Sequence, residues 1–396
     1  MKDFEFYAPT HYIFGKGVAE RAGEELARLG GTRALIHYGG GSAVRSGLIA
    51  RVRASIERAG LSCVELGGAQ PNPRDGLVYK GIELCRKEGV DCLIAVGGGS
   101  AIDSCKAIAT GLKYDGDFWD MFAGKAAVPG AMPMGVVLTM AAAGSEGSNS
   151  CVITREDGML KRSTSSDFNR PRFAIMDPEL TYTLGAYQTA CGVADMMSHV
   201  LERYFTNEQG VALTDRLCEA VLSSIIEAAP RAIAKPDDYE SRATLMWAST
   251  LAHNDTCGLG RESDGASHKL AHELSALYDT AHGATMGLIF PAYLRFLLGK
   301  ADMRLCRLAV NVWGCQQDYE HPERTALEGI VRYERFISSI GLPGSFEEIG
   351  ARREDIPQLI AKVRRRSDGR VGNFRPLDDG DMRAIYEIAC VKPGER

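Results

Sequence analysis

Strand signals run out half-way along this chain, and that asymmetry constrains the fold more than any other feature. Residues 33–39 (RALIHYG), 63–68 (CVELGG), 91–100 (DCLIAVGGGS), 134–140 (MGVVLTM) and 173–178 (FAIMDP) are apolar runs with strand character. Helical periodicity fills 44–59 and 74–88, and a helix follows the third run. Strands alternating with helices predict a parallel sheet with crossover helices. From about Thr183 onward the pattern is helical only: 186–206, 208–234, 238–256, 264–278, 284–299, 301–314, 323–341, 354–365 and 378–391, punctuated by prolines at 230, 236, 291, 343, 357 and 376. The expected architecture is an α/β domain over 1–182 followed by an all-helical domain over 183–396. A chain of 396 residues is too long for one ordinary core, which agrees with two domains.

Charge and cysteine usage narrow the function classes. A net charge of −5 disfavours nucleic acid and anionic membranes as partners. The basic run 362–370 (KVRRRSDGR) reads as a solvated helix end. Residues 126–145 are long and uncharged enough to test as a membrane span, but Pro129, Gly130, Pro133 and Gly135 break their first half. A loop leading into a buried strand fits better. The eleven cysteines are scattered, odd in number and without a C-x-x-C pair, so free thiols in a reducing cytoplasm are expected. The N-terminus has early acidic residues and no apolar core of a signal peptide.

Two GGGS tetrads, 39–42 and 97–100, each follow a strand and precede a helix. A doubly wound sheet binds its ligand at such strand C-termini, where glycine admits a phosphate close to free helix N–H groups. Neither tetrad matches G-x-G-x-x-G, and a tight turn without ligand is the plainer alternative to a dinucleotide site. The first strand ends HYGGGSAVR with no carboxylate to take a ribose 2′-hydroxyl. Ser42 and Arg45 offer a hydroxyl and a guanidinium that suit a 2′-phosphate, so NADP is expected over NAD. A third Gly/Ser-rich loop, 138–154, follows a strand at the same edge, where Thr139, Gly144, Ser145 and Glu146 are placed to line the nicotinamide end.

Three of the eight histidines fall in SHKLAHELSALYDTAHG, 267–283. His268 and His272 share a helical face. His282 lies fourteen residues beyond His268, roughly 21 Å along a straight helix, so one ion can meet both only if the chain folds back at YDTAHG. In GVADMMSHVLE, 192–202, Asp195 and His199 are one turn apart. Asp195, His199, His268 and His282 form an N₃O set suited to iron, zinc, cobalt or nickel and poor for magnesium or calcium. Spacing alone leaves open whether they bind a metal or are satisfied helix histidines.

Taken together, GGGS with Asp103, GSE at 144–146, DPELTYTL at 177–184, GVADMMSH at 192–199 and SHKLAHELSALYDTAHGATMGLIFPAYLRF at 267–296 resemble the iron-containing (group III) alcohol dehydrogenases, along essentially the whole chain. YGGGS at 38–42 is most similar to the NADPH-dependent butanol dehydrogenase and aldehyde reductase subgroup. The resemblance implies a Rossmann-like N-terminal domain in a dehydroquinate synthase-like architecture. It makes Asp195, His199, His268 and His282 the metal ligands and puts His272 beside the metal without binding it. It assigns Gly40 and Ser42 to the 2′-phosphate region, Gly97, Gly98, Ser100 and Asp103 to the cofactor, and Thr139 and Lys161 to the ribose or nicotinamide. One departure stands out: Ala143 replaces the family's threonine before Gly-Ser-Glu, removing a hydroxyl from that loop.

The implied chemistry is hydride transfer between NADP(H) and a small alcohol or aldehyde. Fe²⁺ is the first choice of metal, with Zn²⁺ or Ni²⁺ as alternatives. The site is expected in the cleft between the domains, the working direction is expected to be aldehyde reduction, and His272 is the candidate proton relay. A homodimer is the family expectation. Rival readings are a specialised polyol or hydroxy-acid substrate, or a non-catalytic relic that binds a dinucleotide. Dehydroquinate synthases and glycerol-1-phosphate dehydrogenases share the architecture, but the basic cluster they need around a substrate phosphate is missing from the metal-ligand helices.

Overall fold

The computed structural model describes residues 1–396. They form two compact units, Tyr7–Thr183 and Leu184–Arg396, the latter joined by Met1–Phe6. The first six residues thus leave the α/β unit to which the sequence assigned them. Their attachments explain it. Lys2 N–H donates to the Gly260 carbonyl (2.9 Å), Lys2 Nζ pairs with Glu262 (3.2 Å) and Glu208 (3.6 Å), and the Met1 amine reaches the Gln209 carbonyl.

The α/β unit carries a six-stranded parallel sheet in the order β1-β8-β5-β4-β2-β3. Its strands are β1 (His11–Phe14), β2 (Arg33–Gly39), β3 (Ser62–Ala69), β4 (Cys92–Gly97), β5 (Met134–Leu138) and β8 (Phe173–Met176). The helices are α1 (Ala22–Arg28), α2 (Ser42–Arg45), α3 (Leu48–Arg58), α4 (Asp75–Glu88), α5 (Gly99–Gly111) and α6 (Trp119–Phe122). On one sheet face Ala34, Ile36, Ile94 and Val96 pack on Leu26 of α1 and Val52 and Ile56 of α3. On the other lie α4 and α5. The central strand β4 is buried at every residue, as its unbroken apolar run requires.

Three local features depart from expectation. The helix expected over 44–59 is two helices, because Gly47 takes φ 74 between α2 and α3. The short edge strand β1 was not anticipated. Neither was the antiparallel hairpin of β6 (Ser150–Arg155) and β7 (Leu160–Ser165), whose SCVITR and LKRSTS have too many polar residues to announce a strand. The uncharged stretch 126–145 is irregular up to β5, and no helix is long and apolar enough to cross a membrane.

The second unit is helical: α7 (Ala186–Tyr204), α8 (Ala212–Ala234), α9 (Tyr239–His253), α10 (Ala266–Tyr278), α11 (His282–Leu297), α12 (Asp302–Asn311), α13 (Pro322–Ser339), α14 (Ile356–Lys362) and α15 (Asp379–Cys390). Pro230 and Pro291 lie inside α8 and α11 rather than at their ends. At the centre, α7 packs on α8, α9 and α11 and is buried from Thr189 to Tyr204. A helix buried all round must satisfy its polar side chains internally. Ser198 Oγ donates to the Ala194 carbonyl (2.7 Å) and Arg203 Nη1 to the His199 carbonyl (2.9 Å). All eleven cysteines are free, nine of them buried.

Candidate functional site

Asp195 breaks the rule that α7 otherwise obeys: its Oδ1 is buried and accepts no hydrogen bond. Three histidine nitrogens surround that oxygen at distances too long for hydrogen bonds. His199 Nε2 stands at 3.5 Å, His282 Nε2 at 3.7 Å and His268 Nε2 at 3.8 Å. Metal–ligand bonds of about 2.0–2.2 Å in a tetrahedron put donor atoms about 3.3–3.6 Å apart. The nitrogens stand at that spacing or a few tenths of an ångström beyond it, and the residues fit a divalent metal. Donor atoms of Asp195, His268 and His282 all lie within 4.8 Å of one another. His199, although nearest Asp195, stands outside that mutual group. Its ring is stacked between His253 (centroids 3.9 Å apart) and His268 (4.3 Å).

The fold-back anticipated at YDTAHG is present. The last helical residue of α10 is Tyr278, Asp279 takes the left-handed conformation (φ 48) and α11 opens on His282. Gly283 makes the return possible. A Cβ there would be driven into the Cys191 carbonyl of α7, so only glycine lets α11 start this close to Asp195.

Electrostatics favour a cation at this point. Burial opposes a charged His268, but the carboxylates of Glu202 and Asp195 outweigh it and lift the imidazole to about 9. The field that favours a proton on His268 also favours a metal ion there. Burial, with His253 and His268 alongside, holds His199 well below the usual imidazole range, leaving a neutral nitrogen. His272 lies beside the cluster, 5.0 Å between ring centroids from His282 and 6.2 Å from His268, partly exposed and outside the mutual donor group.

The α/β unit gathers the glycine clusters at one sheet edge. β2 and β4 are neighbours, with β3 outward on one side and β5 on the other, so the strand order reverses between them. That switch point is where such sheets bind ligands. Gly39–Ser42 leaves β2 there and Gly97–Ser100 leaves β4. Thr139 follows β5, its N–H on the Gly97 carbonyl (3.0 Å). A Cβ on Gly97 would lie 2.7 Å from Ala101 Cβ, and one on Gly98 2.9 Å from Met140 Cβ, so the turn is too tight for side chains. Beside Gly40 there is open space, Ser42 is exposed, and the exposed Arg45 folds its guanidinium back over Gly41.

Asp103 is committed to the loop beneath this edge. Its Oδ1 accepts from Ser145 Oγ (2.5 Å) and its Oδ2 from Val152 N–H (2.9 Å). Burial raises its carboxyl above the usual range despite the nearby lysines Lys106 and Lys161. Lys161 is buried and donates to Asn72 Oδ1 (3.0 Å). Lys106, absent from the sequence reading, is fully buried and donates to Ser145 Oγ (2.9 Å), the Ser148 carbonyl (3.1 Å) and the Ser150 carbonyl (2.8 Å). It ties down the 144–150 loop from below. Sequence reasoning also missed Glu202 and His253. Glu202 was legible, three residues beyond His199 and seven beyond Asp195 on one helix face. His253 arrives from α9 by tertiary packing and carried no local signal.

Comparison with known proteins places these features. The family model described as iron-containing alcohol dehydrogenase matches residues 9–178, and that for the C-terminal region of Fe-containing alcohol dehydrogenases matches 189–390. A Bacillus subtilis protein named probable NADH-dependent butanol dehydrogenase 2 is 41% identical over 98% of this chain and all of its own length. The NADPH-dependent aldehyde reductase YqhD of Escherichia coli is 33% identical over 98% of this chain and all of its own. The crystal structure of a Thermotoga maritima protein named NADH-dependent butanol dehydrogenase A superposes with a TM-score of 0.95, 35% identity and 99% coverage of both chains.

Proposed function

The chain belongs to the iron-containing alcohol dehydrogenase family, and on that premise we propose that it interconverts a small primary alcohol and its aldehyde, such as butanol and butyraldehyde, using NADPH and one divalent metal. The observation that carries this reading is the partnerless buried Asp195 Oδ1 with three imidazole nitrogens 3.5–3.8 Å away. Asp195, His199, His268 and His282 would hold the metal. One carboxylate and three neutral nitrogens suit Fe²⁺ first, with Zn²⁺ or Ni²⁺ able to take the same donors. When bound, the metal supplies Lewis-acid polarisation of a substrate oxygen, and the nicotinamide supplies or accepts hydride.

Gly40, Ser42, Gly97, Gly98 and Ser100 would receive the dinucleotide, with Thr139, Asp103 and Lys161 shaping the loop toward its nicotinamide end. His272 would pass a proton between solvent and the substrate oxygen through its ring nitrogen, for which its partial exposure is suited. The preference for NADPH rests on exposed Ser42 and Arg45 and the lack of a carboxylate in the turn after β2. The names of the B. subtilis and T. maritima relatives favour NADH instead. Aldehyde reduction is the proposed direction, since cellular NADPH serves reductions. A cytoplasmic location is proposed, where free thiols stay reduced. A homodimer is proposed on the family resemblance alone.

The test is nicotinamide absorbance in the metal-loaded protein with butyraldehyde, comparing NADPH with NADH, before and after chelation. Metal-dependent oxidation preferring NADPH supports the whole reading. A preference for NADH overturns only the Ser42 and Arg45 argument. Turnover confined to polyols or hydroxy acids transfers the activity to a specialised substrate.

A further inference from the structure

Glu202 is a buried carboxylate that the proposed chemistry does not use, and both of its oxygens face one residue. Its Oε2 lies 2.8 Å from His268 Nδ1, and its Oε1 accepts the His268 backbone N–H at 3.0 Å. It stands one turn beyond His199 on α7, so Asp195, His199 and Glu202 occupy one helix face while His268 comes from α10. His268 meets the donor cluster through its other nitrogen, Nε2, 3.8 Å from Asp195 Oδ1. The two ring nitrogens thus have separate tasks.

We propose that Glu202 is a positioning residue: it holds a proton on His268 Nδ1, fixes the ring, and so leaves Nε2 as a lone-pair donor for the metal. The inference rests on the metal-centre reading given above. A carboxylate is an acceptor at both oxygens, so the N–H it faces must be on Nδ1, and a neutral imidazole then has no hydrogen on Nε2. The bond to the backbone N–H of the same residue holds the carboxylate in place, so the ring cannot swing without losing its 2.8 Å contact with Glu202. A glutamine cannot do both jobs. Its single carbonyl oxygen can serve the backbone N–H or the ring N–H. Its amide nitrogen then faces either the backbone N–H, a donor against a donor, or Nδ1. In the second case Nδ1 must accept, the hydrogen moves to Nε2, and the metal donor is lost.

The experiment is metal affinity, measured by Zn²⁺ titration against a competing chelator, in the wild-type chain, Glu202→Gln, His268→Ala and the double variant. Glu202→Gln is expected to weaken Zn²⁺ binding by about 10- to 100-fold. In the His268→Ala background the same change is expected to weaken it less than twofold, because its target ring is gone. Equal loss in both backgrounds, or no loss in the single variant, overturns the proposal. A wild-type chain that binds no Zn²⁺ overturns the metal centre itself, a different outcome. Should Glu202→Gln not fold, ¹⁵N-edited spectra of the wild-type Zn²⁺ form decide. Hydrogen on His268 Nδ1 is expected, and hydrogen on Nε2 overturns the proposal.

Discussion

Two histidines show how position decides what an imidazole does. His272 touches the ring of His282 but gives no atom to the mutual donor group, so a change there separates proton handling from metal binding. His272→Asn is expected to lower kcat about 100-fold with metal content unchanged; loss of metal alongside activity would make His272 structural. His37 belongs to the α/β unit, fully buried in β2 with its Nδ1 on the Leu66 carbonyl (2.9 Å) and a buried Nε2 without a partner. Burial pushes it down to about 4. The native chain therefore resists a proton that the unfolded chain takes up near 6.5, and stability is lost as pH falls from about 6.5 toward 4, by up to about 3 kcal/mol. Urea unfolding at pH 7 and pH 4.5 checks this. His37→Asn, which keeps a donor near the Nδ1 position, is expected to flatten the difference. At this scale the sequence was partly legible. Helix periodicity aligned Asp195 with His199, one turn apart, whereas His268 and His282 sit on separate helices and joined the set only through the anticipated fold-back and the family resemblance. Lys106 and His253 were not, since their partners are distant in sequence and nothing local marks a buried lysine as satisfied.

Elements matter here through how closely they approach. The start of α11 reaches Asp195 only because residue 283 has no side chain. Gly283→Ala is expected to push α11 off α7, weaken metal binding at least tenfold and cost about 2–4 kcal/mol of stability. Gly287→Ala, one turn on, meets only side chains, the end of Leu342 at 3.1 Å, Ile337 at 3.4 Å and Ala194 at 3.7 Å, and is expected to leave metal affinity unchanged. Metal titration and thermal melts of both variants check the contrast. In the α/β unit the corresponding link is between α5 and the loop before β6. Lys106→Met leaves the Ser148 and Ser150 carbonyls without their donor, which is expected to raise the dinucleotide dissociation constant at least tenfold while metal content stays constant. Fluorescence titration with NADPH and metal analysis test it, and unaltered NADPH affinity would mean the loop holds its shape unaided. Element boundaries followed the sequence where periodicity was strong, as in β2 and α7. They failed at Gly47, where a left-handed glycine splits a periodic run, and at β6 and β7, where pairing rather than composition makes the strand.

For the whole molecule, the sheet strands end with β8 and the chain beyond is helical, the two compact units dividing at Thr183–Leu184. The exception is the N-terminal hexapeptide, whose attachment depends on Gly260, Glu262 and Glu208, more than two hundred residues away and invisible to a local reading. The central claim is that the Asp195 cluster holds the one ion on which hydride transfer depends. The direct measurement is to strip the protein of metal, titrate Fe²⁺ or Zn²⁺ back, and follow NADPH oxidation by butyraldehyde together with bound metal, in the wild-type chain and in Asp195→Asn. Activity that rises in step with metal to one ion per chain, and both signals absent from the Asp195→Asn variant, is the predicted result. Full turnover in the stripped protein, or an ion that still binds tightly without Asp195, would contradict it.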